Sequence, residues 1–187
     1  MRYDSVIVLL ALATISTAAH AADEDICAQD MVCASNPQSV VTALQDAGYR
    51  AKLEKDTTGP YIKSAAGGYN FEVIFIGCKE SIKCDSMQFN LLFSANDANT
   101  PEYANGFNVK YRFLQVAATS NKQLRVALDV TTIGGVTKRN FKDVLDTWSR
   151  GLNAFSTYAN QQAATIAKPP VPVLPVVPLV PVSVSPG

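Results

Sequence analysis

The residues of this 187-residue chain with the most chemistry to offer are four cysteines, 27, 33, 78 and 84, which come as two equally spaced pairs. Thiols can hold zinc, run redox exchange or close disulfides. Zinc fits poorly, because the only histidine is His20 and neither pair has the tight spacing of a thiolate knuckle. Redox catalysis lacks its C-x-x-C. Disulfides are the reading that suits an even count in an exported protein. Loop geometry favours local pairing, Cys27 with Cys33 and Cys78 with Cys84. A bridge from the N-terminus to the second pair would constrain the unfolded chain more, by about 4 kcal/mol against about 2 for a small ring. Other chemistry is sparse. With His20 as the single imidazole there is no Ser-His or Cys-His pair in the body of the chain. Glu72 and Asp129 are available for carboxylate chemistry but carry no mark that separates them from solvated surface acids. Gly67-Gly68 and Gly134-Gly135 lack the lysine, the hydroxyl residue and the further glycine of a phosphate loop, and read as turns.

Export itself is read from the start of the chain. Arg2 precedes an apolar run from Val6 to Ile15, and Ala19-His20-Ala21 is a small-x-small cleavage site. The run is too short to cross a bilayer, which needs about 20 residues. Residues 1–21 are therefore expected to be a signal peptide, cleaved before Ala22, which leaves no membrane span and places the protein in the periplasm or outside the cell. The 16 basic and 16 acidic residues balance, so nothing in the charge points to nucleic acid or an anionic membrane as partner.

The elements that must position the cysteines centre on Gly67 to Phe93. Tyr69, Phe71, Val73 and Phe75 alternate with Asn70, Glu72, Ile74 and Ile76; Met87, Phe89, Leu91 and Phe93 alternate with Gln88, Asn90, Leu92 and Ser94. Period two over both runs predicts a β-hairpin at the centre of a sheet, with Cys78 and Cys84 across its neck. Upstream, Ser35 or Asn36 followed by Pro37 predicts a helix start, with Val40, Val41, Leu44 and Ala47 on its buried face and Gly48 as its stop. Strands are predicted near Tyr49 to Leu53 and from Tyr61 to Ala65, which makes an antiparallel meander with the hairpin. Tyr103, Phe107, Tyr111 and Leu114 recur at helical spacing, while Phe107, Val109, Tyr111 and Phe113 alternate like a strand. Gln115 to Thr119 and Leu124 to Val130 read as extended. Thr137 then caps a helix whose stripe is Phe141, Val144, Leu145, Trp148, Leu152 and Phe155. Residues 160–168 read as a polar, Ala-rich exit. Beyond them, prolines at 169, 172, 175, 178 and 181 repeat every third residue, the period of polyproline II. That tail reads as a stiff spacer in preference to a ligand for a proline-reading groove.

Several segments, taken in order, resemble the YbjN-type family of bacterial sensory transduction regulators. They are Ala47-Gly48-Tyr49; Asp56-Thr-Thr-Gly59-Pro60-Tyr-Ile62; Tyr69 to Cys78 running into Cys84-Asp-Ser-Met-Gln-Phe89; Asn105-Gly-Phe-Asn108 with Arg112-Phe113; and Leu128-Asp129-Val with Gly134-Gly135-Val-Thr137. The resemblance spans Pro37 to about Phe155, with Phe107 standing where the family often has Trp. It implies an α+β fold like the type III secretion chaperones, a twisted antiparallel sheet of about six strands covered by helices in the order α-β-β-β-β-α-β-β-α. It also implies helix from Tyr103 to Phe113. The family offers no catalytic residues to carry over, and no cofactor or metal is expected.

The chain is thus expected to be a signal peptide (1–21), an extension with Cys27 and Cys33 (22–34), a YbjN-like domain (35–160) and a proline-rich tail (161–187). The function expected is that of an exported, non-enzymatic protein-binding module, chaperone-like or regulatory, whose partner is an envelope or secreted protein; a homodimer is compatible with it. Tyr103, Phe107 and Tyr111 are the candidate partner-binding residues. The competing functions are an enzyme using acids alone, such as a hydrolase, and a structural envelope protein acting through its tail.

Overall fold

The computed structural model describes residues 27–79 and 83–167. The predicted signal peptide, the tip of the central hairpin loop and the proline tail lie outside them. Two layers form the fold. One is a six-stranded antiparallel sheet made of β2 (Ala51–Lys55), β3 (Pro60–Ala66), β4 (Tyr69–Ile76), β5 (Ser86–Phe93), β6 (Gln115–Ala118) and β7 (Leu124–Thr131), in the order β2-β3-β4-β5-β7-β6. The other is a set of helices, α1 (Pro37–Asp46), α2 (Pro101–Asn108) and α3 (Lys138–Ala167). A short ribbon pairs β1 (Met31–Val32) with β8 (Val136–Thr137). The expected α+β class, strand number and element order hold, and β4 and β5 are the two central strands, with Val73 opposite Phe89.

Side-chain alternation sends Ile62, Phe71, Val73, Met87, Phe89, Leu91, Val126 and Leu128 to the helix side, all buried. α3 covers them. Its first turn is held by Thr137, whose Oγ1 accepts the Asn140 N–H at 3.1 Å. Phe141, Leu145, Trp148, Leu152 and Phe155 are buried as their spacing predicts, and Tyr158 extends the stripe by one more turn. Trp148 is fully buried, with ring centroids 5.4 Å from Phe71 and 5.6 Å from Phe89. Burying each such ring contributes roughly 2–3 kcal/mol. Gly151 lets Leu114 lie against the helix backbone, since a Cβ there would overlap the Leu114 methyl groups.

Four local readings need correction. α3 does not fade at residue 160 but continues to Ala167. α2 ends at Asn108 and does not reach Phe113, because the Asn108 side chain leaves the helix to bond Val116. In α1, Ala43 is buried in place of Ala47, which sits exposed at the C-cap before Gly48 (φ +86°). The first predicted strand shifts to Ala51–Lys55, because Tyr49 is still taken up in closing the helix, its N–H donating to the Leu44 carbonyl at 3.0 Å.

Candidate functional site

The cysteines stand in local pairs at disulfide distance, with Cα atoms 5.7 Å apart for Cys27 and Cys33 and 3.8 Å for Cys78 and Cys84. Cys78 and Cys84 close the neck of the hairpin, where Lys79 and Lys83 exchange backbone bonds of 3.0 and 3.2 Å. The first pair belongs to a segment that reaches the core. Val32, Cys33 and Ala34 are fully buried, and the Ala34 N–H donates to the buried Thr132 Oγ1 at 2.7 Å. Gly135 permits this contact, since a Cβ there would press on Met31 and the Cys33 sulfur. Among the described residues no cluster of three or more His, Cys, Asp or Glu could hold a metal ion, and no helix is long and apolar enough to cross a membrane.

Tyr103, Phe107 and Tyr111 do come together, at the joint between α2 and α3. Thr100 caps α2, its Oγ1 accepting the Tyr103 N–H at 3.1 Å. Phe107 has no exposed surface; it stacks on Tyr111 at 4.7 Å and meets Phe155 and Tyr158 edge-on at 5.5 and 5.6 Å. Tyr103 and Tyr111 are half-buried. The Tyr158 hydroxyl donates to the Tyr103 carbonyl at 2.8 Å, and burial pushes the phenols of both tyrosines up from their ordinary pKa. Tyr158 was legible in the sequence as the residue three places after Phe155, on the same helical stripe.

All three helices of the described residues pack on one side, so among the described residues the other side of the sheet is uncovered. Its side chains come from the alternate positions: Lys52 and Glu54, Tyr61 and Lys63, Asn70 to Ile76, Gln88 to Leu92, and Arg125 to Asp129. Leu92 is 48% exposed there, opposite Arg125, and Ile76, 41% exposed, stands opposite Ser86 at the far end of the strand pair. A trough of about 490 Å³ runs over Lys63, Asn70, Glu72, Asn90 and Leu92. Asn90 Oδ1 is buried at its floor without a hydrogen-bond partner among the described residues. Glu54 is the electrostatic centre of the adjoining strands. It bonds Lys63 at 2.6 Å, Lys52 at 3.0 Å and the Tyr61 hydroxyl at 2.9 Å, and these contacts, Lys63 foremost, bring its pKa down to about 2. Glu72 and Asp129 share this face but not a site. Glu72 stands opposite Asn90 and Asp129 opposite Gln88, so β5 separates them, and Asp129 accepts from Gln88 Nε2 at 2.7 Å.

One solved structure bears on this architecture. The solved structure described as "YbjN, a putative transcription regulator from E. coli" is similar with a TM-score of 0.51 at 10% identity, covering 73% of this chain and 96% of that one. An uncharacterized protein from Methanothermobacter thermautotrophicus gives a TM-score of 0.45 at 13% identity, covering 66% and 96%. No match was found among curated proteins. Residues 36–160 match the profile of YbjN, described as "Putative bacterial sensory transduction regulator". That span takes in the whole sheet, α1, α2 and most of α3, and the chain belongs to the YbjN family.

Proposed function

We propose that this protein is an exported, non-enzymatic binding module that acts on another envelope or secreted protein in a regulatory or chaperone-like role. The observation that carries the reading is the sheet face that no described element covers, where Leu92 stands exposed beside Lys63, Glu72 and Asn90. A rigid sheet with apolar side chains inside a polar frame is suited to a protein surface, which supplies both kinds of contact. The family's description as a regulator supports a binding role. Two cysteine pairs at disulfide distance support an oxidising compartment, as does the signal-like start.

A photo-crosslinking residue placed at Leu92 in the living cell tests the reading, with Arg139 on the exposed side of α3 as control. A discrete adduct from position 92 and none from 139 is expected. Equal labelling from both, or none from position 92, removes the sheet face as the site. Tyr103 and Tyr111 keep partial surface at the α2–α3 joint and form the second candidate contact. Replacing both by Ala separates the roles: lost adduct with unchanged thermal stability assigns them to binding, and a large fall in stability with the adduct retained assigns them to the core.

A further inference from the structure

The two edges of the six-stranded sheet are finished differently. At β6 the Asn108 side chain takes the place of a further strand: Nδ2 donates to the Val116 carbonyl at 2.8 Å, and Oδ1 accepts the Val116 N–H at 2.9 Å. At the opposite edge, among the described residues, the outward backbone of β2 is met only at its first residue, where Gln45 Nε2 donates to the Ala51 carbonyl at 3.0 Å.

Three features establish which backbone groups of β2 face outward. The Ala51 carbonyl turns to Gln45 of α1. Asp56, just past the strand, donates its N–H inward to the Gly59 carbonyl at 3.0 Å. Lys55 stands opposite Pro60, which has no N–H to give. Antiparallel ladders alternate between bonded and non-bonded pairs, so Ala51, Leu53 and Lys55 direct their N–H and C=O groups away from β3. Among the described residues, no group meets the outward positions of Leu53 or Lys55. Leu53 is 38% exposed beside a recess of about 420 Å³ that Pro37, Gln38 and Pro60 help to line.

We propose that β2 pairs antiparallel with β2 of a second copy of this chain, centred on Leu53, so that the two sheets join into one. The strand Ala51-Lys-Leu-Glu-Lys55 is self-complementary about that centre. Lys52 falls opposite Glu54 of the second copy, and Glu54 opposite its Lys52. Both pairs lie on the uncovered face at non-hydrogen-bonded positions, where opposed Cα atoms are about 4.5 Å apart and side chains meet closely. Leu53 meets its own counterpart on the helix side, and the outward N–H and C=O groups of the two Leu53 residues satisfy each other. Lysines on an edge strand ordinarily discourage the addition of another strand. Here a strand of the same sequence supplies an opposite charge at each position, which a generic apolar strand does not. The outer pair, Ala51 with Lys55 of the second copy, forms when Gln45 releases the Ala51 carbonyl.

Sedimentation velocity of the full chain over a concentration series tests this. Wild type is expected to associate to a dimer. Lys52→Glu sets Glu against Glu at both positions, and Glu54→Lys sets Lys against Lys; each is expected to raise the dimer Kd about tenfold or more. Mixing the two variants restores dimers, because the acidic strand of one then faces the basic strand of the other. Lys52 is exposed and leaves the fold intact, and thermal unfolding checks that Glu54→Lys, which loses its bond to Lys63, is folded. A wild-type monomer at every concentration overturns the proposal. So does a Lys52→Glu dimer as tight as wild type, or a mixture no more associated than its components.

Discussion

Glu54 concentrates three neighbours on one carboxylate. Lys63, Lys52 and the Tyr61 hydroxyl all favour its charged form, and its pKa falls from 4.5 to about 2. A carboxylate depressed in the folded state contributes stability that is complete above its unfolded pKa and lost as the pH falls through the folded one. Denaturant midpoints of wild type should therefore fall as the pH drops from 4.5 towards 2, and Glu54→Gln should flatten part of that fall. An unchanged pH profile would mean that the two lysines do not act on Glu54 in solution. Thr132 does its work in the opposite setting, buried in the domain. Its Oγ1 accepts the N–H of Ala34, and both residues are buried. Thr132→Val keeps the shape and removes the acceptor, which should cost about 1–3 kcal/mol in urea unfolding, while Thr132→Ser should cost less.

The β1–β8 ribbon and the hairpin neck are the elements that the cysteines serve, and they do so unequally. Cys27 and Cys33 hold a segment that begins before residue 36, where the family match starts, yet supplies Val32, Cys33 and Ala34 to the core. Cys78 and Cys84 close a loop between two strands already paired over five residues from Glu72 to Ile76. Replacing Cys78 and Cys84 together with Ser should cost about 2 kcal/mol and leave the fold intact. Non-reducing peptide mapping of wild type should recover the Cys78–Cys84 and Cys27–Cys33 peptides. Any fragment joining one pair to the other would replace the local arrangement with a strap from the N-terminus to the sheet.

The described residues form a two-layer α+β domain in which the helices lie on one side of the sheet and no described element covers the other. The proposed export would make its partners envelope or secreted proteins. The proposed signal peptide predicts a mature chain that begins at Ala22, and intact mass of protein recovered from the periplasm measures this directly. A chain still starting at Met1 in the cytoplasm would remove both the oxidising compartment and the envelope partner.

Alternation and helical spacing are enough to place the central hairpin, the meander and the stripe of α3, because each is a local pattern with one buried side: Phe71, Val73, Met87 and Phe89 read as inward from alternation alone, and all are buried. The cysteine pairs were legible for the same reason, since partners close in sequence are close in space. Contacts between distant residues were not legible. Nothing local in Thr132 announces Ala34, ninety-eight positions away, and nothing in Asn108 announces that its amide will abandon the helix to close the edge at Val116. Tyr103, Phe107 and Tyr111 share a helical spacing, but how much of each ring stays exposed was settled by Phe155 and Tyr158 arriving from α3. The uncovered face is the largest such outcome. Lys52, Glu54, Glu72 and Leu92 are ordinary alternating residues in the sequence, and they become one surface because β2 to β5 align in register while α1, α2 and α3 pack on the other side.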